Sequence, residues 1–258
     1  STITRLSPLS SVIGLLWFLL SQFRCQAFSV SPVRSKFVKA WTTLRLAPTS
    51  DDSQITVWQQ RDGEWIEQRS NAATLPLEAQ QTWAWCRNFV VPLQLCPWAR
   101  ASVETPTALQ IFLVDQNYPQ SLHSDVVKDV GQRFEGFLAD NPSIESAAIF
   151  FVIFPMNDFG GYYDWFLDLE ETWDLMDSVI VAPFHPDWAF DGEPDNLQYE
   201  KRSPFPTVSL VSTKVVDAAG EMATKRIGEQ NEQLLLSKSV NELQSLWDQC
   251  LRPNVDWE

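Results

Sequence analysis

Basic residues are scarce in this chain of 258 residues. Lys and Arg number 19 against 33 Asp and Glu, which gives a formal net charge of -14 at pH 7. Proteins that bind nucleic acid through its phosphates need a basic surface, so the composition argues against a nucleic-acid partner. Hydrophobic residues still make up 45% of the chain, which is enough for a globular core and excludes wholesale disorder.

Cysteine and histidine are also scarce. Four Cys exclude a disulfide scaffold, and no two of them have C-x-x-C spacing. A zinc site needs three or four Cys, His or carboxylate ligands, and with only two His and no suitable spacing the sequence predicts no metal site. The three thiols beyond residue 50 are Cys86, Cys96 and Cys250, and unpaired thiols suit a reducing compartment.

Phosphate-binding glycine loops and membrane-length apolar runs are missing too. The pair Gly160-Gly161 lacks the Lys-Ser/Thr that follows in nucleotide-binding loops, so the sequence predicts no cofactor. The apolar run at residues 12–20 is too short for a transmembrane helix, which needs about 20 residues. We therefore expect no stable membrane insertion once the chain is processed.

The first 50 residues differ sharply from the rest, because they contain six basic residues and no acidic one. Arg5 precedes the apolar run, and Cys25 and Ala27 form a small-residue pair of the kind found at signal-peptide cleavage sites. This pattern predicts a secretory signal, with a short buried helix as the alternative. Residues 28–50 are basic and rich in Ser and Thr, which is typical of a transit peptide.

The junction Gln26-Ala27-Phe28 between these two parts resembles the bipartite plastid presequence of diatoms and related algae. The resemblance covers only this segment. It implies delivery to the chloroplast stroma, and simple secretion is the alternative.

The remaining chain divides into two parts. Residues 51–76 form a leader in which Asp62-Gly63 signals a possible hairpin, and residues 77–250 form a single domain. Apolar periodicity in that domain predicts helices and strands in alternation, with a loop of about 24 residues from Pro183 to Pro206 before the last strand. The predicted fold is α/β, with a small mixed or parallel sheet of about four strands and helices on its faces.

Three short segments carry the residues of chemical interest. They are residues 95–99 (LCPWA), 184–190 (FHPDWAF) and 201–206 (KRSPFP). In this order and spacing, they resemble the family called domain of unknown function 1415. The resemblance also includes Phe154-Pro155, the predicted helix at residues 159–169 and the segment 226–231. The resemblance runs from about residue 83 to residue 235. That family has no established activity, so the resemblance implies kinship and no mechanism.

The chain departs from the family pattern at several positions. Residues 92–94 (PLQ) stand where the family usually has Gly-Leu-Asn, and Lys201 stands where it usually has Asn. Ser209 and Ser212 align with a His and an Arg that are common in the family. If those two residues were catalytic there, this chain would be a relative that kept the fold and lost the activity.

Cys96 and His185 are the candidate catalytic residues. A thiolate at Cys96 would be a nucleophile if a cation or a helix N-terminus lowered its pKa, although the preceding helix points its C-terminal end at it. The alternative is a small buried apolar residue. His185 is a candidate acid, base or lone metal ligand, or else a loop histidine bonded to a backbone carbonyl. The second histidine, His123, is predicted to lie at the surface.

Arg202 is the candidate clamp for an anion, because a guanidinium binds carboxylate or phosphate through two hydrogen bonds. Asp187, Asn196 and Ser203 complete the candidate substrate-binding set. The alternative is that Arg202 pairs with a nearby loop carboxylate, from Asp187, Asp191 or Asp195, and only fixes the loop.

Two functions remain open at this level. The first is a thiol- or imidazole-dependent enzyme that acts on a small anionic metabolite in the plastid, with Cys96 as nucleophile or redox thiol. The second is a non-catalytic ligand-binding or assembly factor in which the Cys, His and Arg are structural. The sequence does not predict the oligomeric state.

Overall fold

The computed structural model describes residues 55–189 and 192–252. The predicted presequence, with its signal and transit parts, lies outside these residues, as does Asp191. Within them no helix is both long enough and apolar enough to cross a bilayer.

A six-stranded sheet forms the centre of the fold and confirms the predicted α/β class with a mixed sheet. The strand order is β2-β1-β3-β4-β6-β5. Strands β1, β3 and β4 are parallel neighbours, whereas β2 and β6 pair antiparallel with β1 and β4, and β5 pairs antiparallel with β6. The strands are β1 (Ile55–Arg61), β2 (Glu64–Ser70), β3 (Leu109–Leu113), β4 (Ile149–Ile153), β5 (Val179–Phe184) and β6 (Thr207–Ser212).

The sheet has six strands where the domain sequence predicted about four, because residues 55–70 join it. Asp62 and Gly63 have φ angles of 52° and 83°, the left-handed backbone that a two-residue hairpin turn requires. This turn connects β1 to β2, and β1 then pairs with β3, so that Val57 lies beside Ile111. The segment that the sequence set apart as a leader is therefore part of the central sheet.

Eight α-helices flank the sheet in the described part of the chain. The first continues into a π-helical turn at Cys86–Val90 before Pro92 ends it. The helices are α1 (Leu77–Trp85), α2 (Ala99–Glu104), α3 (His123–Asp140), α4 (Phe159–Glu171), α5 (Asp195–Gln198), α6 (Thr213–Ala219), α7 (Glu221–Ser237) and α8 (Val240–Cys250).

Each face of the sheet has its own apolar core. On the α1 face, helices α1 and α8 pack against Ile111 and Phe151, and Cys96 packs at the margin. On the α3 face, helices α3 and α4 pack against Phe150 and Val152. Strand β4 is buried at all five positions because alternate side chains enter the two cores.

A long connection leads from β5 to β6 and is largely packed against the domain. His185 and Ser203 are fully buried, and Tyr199 is 1% exposed. The connection contains the short helix α5, so only part of the predicted loop lacks regular structure. Because these side chains are buried, the segment is a packed part of the domain. Its packing fixes the positions of the candidate site residues that it carries.

Candidate functional site

Cys96 lies in the turn between the π-helical end of α1 and the start of α2. The residue is half-buried, whereas Cys86 and Cys250 are buried. The backbone N–H groups of Trp98 and Ala99, at the entry to α2, are near enough to lower the pKa of its thiol, and that of Ala99 also donates to the carbonyl oxygen of Cys96 at 3.3 Å. The sequence placed Cys96 at the unfavourable end of a helix dipole, but the chain turns, and the thiol meets backbone donors instead.

The electrostatic surroundings of Cys96 have opposing effects on its pKa. Burial is the larger effect and raises the pKa of the thiol. The N–H groups of Trp98 and Ala99 and the nearby charge of Lys201 lower it in part. The resting side chain is therefore a neutral thiol with groups around it that stabilise a thiolate once the proton leaves.

Lys201 carries the positive charge that lowers the pKa of this thiol. Its Nζ lies 5.1 Å from the centre of the Phe184 ring, which itself packs edge-on against Trp85. Burial lowers the pKa of Lys201 to about 8, while the charges of Glu200 and of an ionised Cys96 act in the opposite direction. A lysine with such a pKa exchanges its proton near neutral pH and can act as a base.

Asn231 joins the two segments that carry Cys96 and Lys201. This side chain on α7 is 5% exposed. Its Nδ2 donates to the carbonyl oxygen of Leu95 at 2.9 Å and to Oε1 of Glu200 at 3.0 Å. One buried amide thus holds the residue before Cys96 and the residue before Lys201, which fixes the spacing of the pair.

His185 lies away from the thiol, and both nitrogens of its ring bond to backbone. Nε2 donates to the carbonyl oxygen of Met156 at 3.1 Å, and Nδ1 accepts from the N–H of Asp187 at 3.1 Å. The ring packs between Phe159 and Tyr162. Burial lowers its pKa, which the Met156 carbonyl and the carboxylates of Asp187 and Asp158 partly offset. This is the carbonyl-bonded arrangement that the sequence left open.

His123 corrects the surface prediction, because it is only 2% exposed. Its Nδ1 lies 3.2 Å from Sδ of Met156, and its ring packs against Phe154 and Trp165. Helix α3 begins at His123. A polar residue at a helix start usually faces solvent, but this side chain points into the α3-face core. Both histidines therefore contact Met156, His123 at its sulfur and His185 at its carbonyl oxygen.

The predicted substrate-binding residues bond mainly to the connection itself. The guanidinium of Arg202 lies 4.6 Å above the Tyr199 ring, and its Nε donates to the carbonyl of Trp188 at 3.4 Å. It forms no ion pair with Asp187 or Asp195, the two candidate partners that lie within the described residues.

Ser203 and Asn196 also bond to backbone. The Ser203 hydroxyl donates to the carbonyl of Phe205, and Nδ2 of Asn196 donates to the carbonyl of Lys238 at 3.1 Å. Asp187 is exposed and contributes its backbone N–H to His185. Among the described residues, no hydrogen bond joins Cys96 to any of the other predicted site residues.

The positions that depart from the family pattern lie in different surroundings. Ser209 faces the α1 side of the sheet, opposite to Val208 and Leu210, and is 7% exposed. Ser212 donates to Glu145 at 2.9 Å, and Lys214 bonds to the same carboxylate at 2.9 Å. Both bonds lower the pKa of Glu145, and the bond from Lys214 has the larger effect.

Within residues 55–189 and 192–252, no three His, Cys, Asp or Glu side chains are grouped to hold a metal ion.

The residues that sequence reasoning missed are Glu200, Lys201 as a site residue, and Asn231. Lys201 drew notice only as a departure from the family pattern. Its position in a Pro-rich apolar segment was the feature of the sequence that indicated partial burial of its side chain. Asn231 ends a segment, residues 226–231, that also resembles the family, but its position in a polar helix does not mark it as buried.

A family model described as protein of unknown function (DUF1415) matches residues 78–245. The chain belongs to this family. No curated protein and no solved structure matches it. The DUF1415 match includes Cys96, His185, Lys201 and Asn231, but begins after the β1–β2 hairpin.

The two hydrogen bonds of the His185 ring predict a protonation state that distinguishes a structural role from a catalytic one. At pH 7 we expect His185 to be a neutral imidazole with its proton on Nε2, and its pKa to lie below 6.5. Since the unfolded chain takes up the proton at higher pH than the folded chain, the free energy of unfolding should decrease as the pH falls below about 6.5.

Nitrogen-15 NMR of the imidazole rings measures both tautomer and pKa, and the two histidines give only two sets of signals. Replacement of His123 by Phe assigns them. A His185 ring that titrates above 6.5, or that exchanges between tautomers, would contradict the bonded geometry and favour an acid or base role.

Proposed function

We propose that this protein is a thiol-dependent enzyme that acts on a small anionic molecule, with Cys96 as the nucleophile and Lys201 as its base. The observation that supports the proposal is that one buried amide, Asn231, ties together the residues that precede Cys96 and Lys201. In agreement with this, the charge of Lys201 lowers the pKa of the thiol, and burial lowers the pKa of Lys201 to about 8. The proposal replaces the imidazole expected from sequence with an amine, since both nitrogens of His185 bond to backbone.

The chemistry follows from the proton positions. The neutral amine of Lys201 takes the proton of the Cys96 thiol, and the N–H groups of Trp98 and Ala99 stabilise the thiolate that remains. The sulfur then attacks an electrophilic carbon of the substrate. The new ammonium group of Lys201 returns its proton to the leaving group as the bond from carbon to that group breaks. Water then cleaves the new carbon–sulfur bond, and its proton restores the Cys96 thiol. The positive charge at Lys201 favours an anionic substrate in an otherwise acidic protein.

A non-catalytic role is the second candidate, and one observation favours it. Arg202, Ser203, Asn196 and His185 all donate to backbone carbonyls that fix the connection between β5 and β6. A connection fixed in this way is a rigid surface for recognition of a ligand or an assembly partner. In that case Cys96 is a packing residue, and its reactivity does not depend on Lys201.

Alkylation of native Cys96 separates these candidates. Replacing Lys201 with Met should slow the reaction with iodoacetamide at pH 8 by about tenfold, which corresponds to a rise of one unit in the thiol pKa. Lys201→Arg keeps the positive charge but cannot accept a proton at pH 8, so it should slow the reaction as Lys201→Met does. A retained rate in Lys201→Arg would mean that Lys201 acts through its charge and not as the base. Mass spectrometry of the labelled peptide gives the rate for Cys96 alone.

Cys96→Ser is the matched control, and it should remove labelling from residues 55–189 and 192–252 of the native protein, where Cys86 and Cys250 are buried. Cys25 lies outside these residues and is read from its own peptide. An equal rate in Lys201→Met and in the unmodified chain would favour the non-catalytic role. A Cys96 that reacts only after unfolding would do the same.

We also propose that the protein works in the plastid stroma. The acid-free segment 1–50, with its apolar run and the Gln26-Ala27-Phe28 junction, supports this location. Residues 1–50 fused to a fluorescent protein should direct it to the plastid of a diatom cell, whereas Phe28→Ala should divert it. Secreted fluorescence from the unmodified fusion would contradict the proposal.

A further inference from the structure

A crevice of about 800 Å³ opens at one edge of the sheet, apart from Cys96 and Lys201. Its walls are the ends of the three parallel strands and the residues just after them, at positions 59–61, 113–117 and 153–155. The first turn of α1 and Phe205 close its sides. The carboxyl ends of parallel strands are where open α/β sheets bind ligands, and the volume suits a small molecule.

Gln60 lies in the wall of this crevice, and its amide nitrogen is open to the crevice. The residue is only 5% exposed. Its Oε1 accepts one long hydrogen bond, 3.4 Å, from the N–H of Asp115, and its Nε2 donates to no group among the described residues. Exchanging the two amide atoms would remove the one bond that exists. Because the amide nitrogen is open to the crevice while its oxygen is held by Asp115, this side chain can donate to a bound acceptor.

The charges around Gln60 favour a positively charged ligand. Glu78 and Asp115 line the crevice and have no ion-pair partner among the described residues. The Asp115 carboxylate is held in place, because its Oδ1 accepts from the N–H of Asn117 at 2.7 Å. The single cation in the lining, Arg61, is exposed and donates to Gln59 at 2.9 Å. The net charge of the lining is therefore negative.

The crevice wall is also built to keep its shape. Met156 follows the wall residues Phe154 and Pro155, and both histidines hold it. Across the crevice, the hydroxyls of Ser203 and Thr207 donate to the carbonyl of Phe205. A preformed wall lowers the ordering cost of binding.

We propose that this crevice is a binding site for a small cationic molecule, an amine that also carries a neutral hydrogen-bond acceptor. Gln60 donates to the acceptor, and the carboxylates of Asp115 and Glu78 face the ammonium group. This site goes beyond the proposed thiol chemistry, since it has the opposite charge preference and shares no residue with Cys96 and Lys201. Gln60 also lies outside the part of the chain that the family model matches.

Three matched amides test the charge preference on the full chain. They are 3-aminopropanamide, which is a cation, propanamide, which is neutral, and succinamate, which is an anion. Titration followed by the backbone amide signals of Asp115 and Asn117 in nitrogen-15 NMR gives the affinities. We expect saturable shifts with the cation, about tenfold weaker binding of the neutral amide, and no saturation with the anion at the same concentrations.

Gln60→Leu tests the role of the amide at nearly constant volume, and it should weaken binding of the cation by about tenfold. Gln68→Leu, on the neighbouring strand β2 and away from the crevice, is the matched control and should bind as the unmodified chain does. Asp115→Asn should reduce the preference for the cation over the neutral amide. Equal binding of succinamate, unchanged affinity in Gln60→Leu, or no saturable shift with any of the three amides would overturn the proposal.

Discussion

The candidate thiol site depends on one buried amide. Asn231 of α7 bonds to the carbonyl of Leu95 and to the carboxylate of Glu200, and these two residues immediately precede Cys96 and Lys201. The two chain segments are about a hundred residues apart in sequence, and no strand pairing holds them together. A buried amide with both donors satisfied has a defined orientation, so it sets the distance between thiol and amine.

Side chains that bond to backbone groups also fix the rest of the connection between β5 and β6. A long segment without regular structure leaves backbone groups to be satisfied, and here side chains do so. His185 bonds to Met156 and Asp187, Arg202 bonds to Trp188, and Asn196 bonds to Lys238. Polar residues that suggested catalysis in the sequence act in the structure as ties between backbone segments. Lys201 belongs to the same connection; its ammonium group lies over the Phe184 ring, and burial lowers its pKa.

Sequence patterns predicted the fold class because the buried strands and amphipathic helices have strong periodicity. The all-buried run of β4 and the four-residue repeat of α3 are examples. Helix α7 was missed because only Asn231 and Leu235 of its 17 residues are buried, which leaves almost no apolar period. The strand count was low because the β1–β2 hairpin, although recognised, gave no signal that it pairs with β3 about fifty residues later.

For the site, sequence identified the segments but not their contacts. Cys96 and the residues around Lys201 were singled out, whereas the partner of Cys96 was expected to be His185. His185 follows β5 directly, so the side of the sheet that its side chain enters depends on the register at the end of that strand. There its ring turns towards Tyr162 on the α3 face, while Phe184 packs on the α1 face. A one-residue difference in register decides this, and residue types alone do not contain it.

The most direct test of the account is a double-mutant cycle between Asn231 and Lys201, read out as the alkylation rate of Cys96 at pH 8. If Asn231 holds the amine beside the thiol, the Lys201→Met effect should fall from about tenfold to nearly nothing in an Asn231→Ala background. It should stay unchanged beside Gln230→Ala, an exposed residue on the same helix. A full Lys201 effect in the Asn231→Ala chain would contradict the claim that this amide assembles the site.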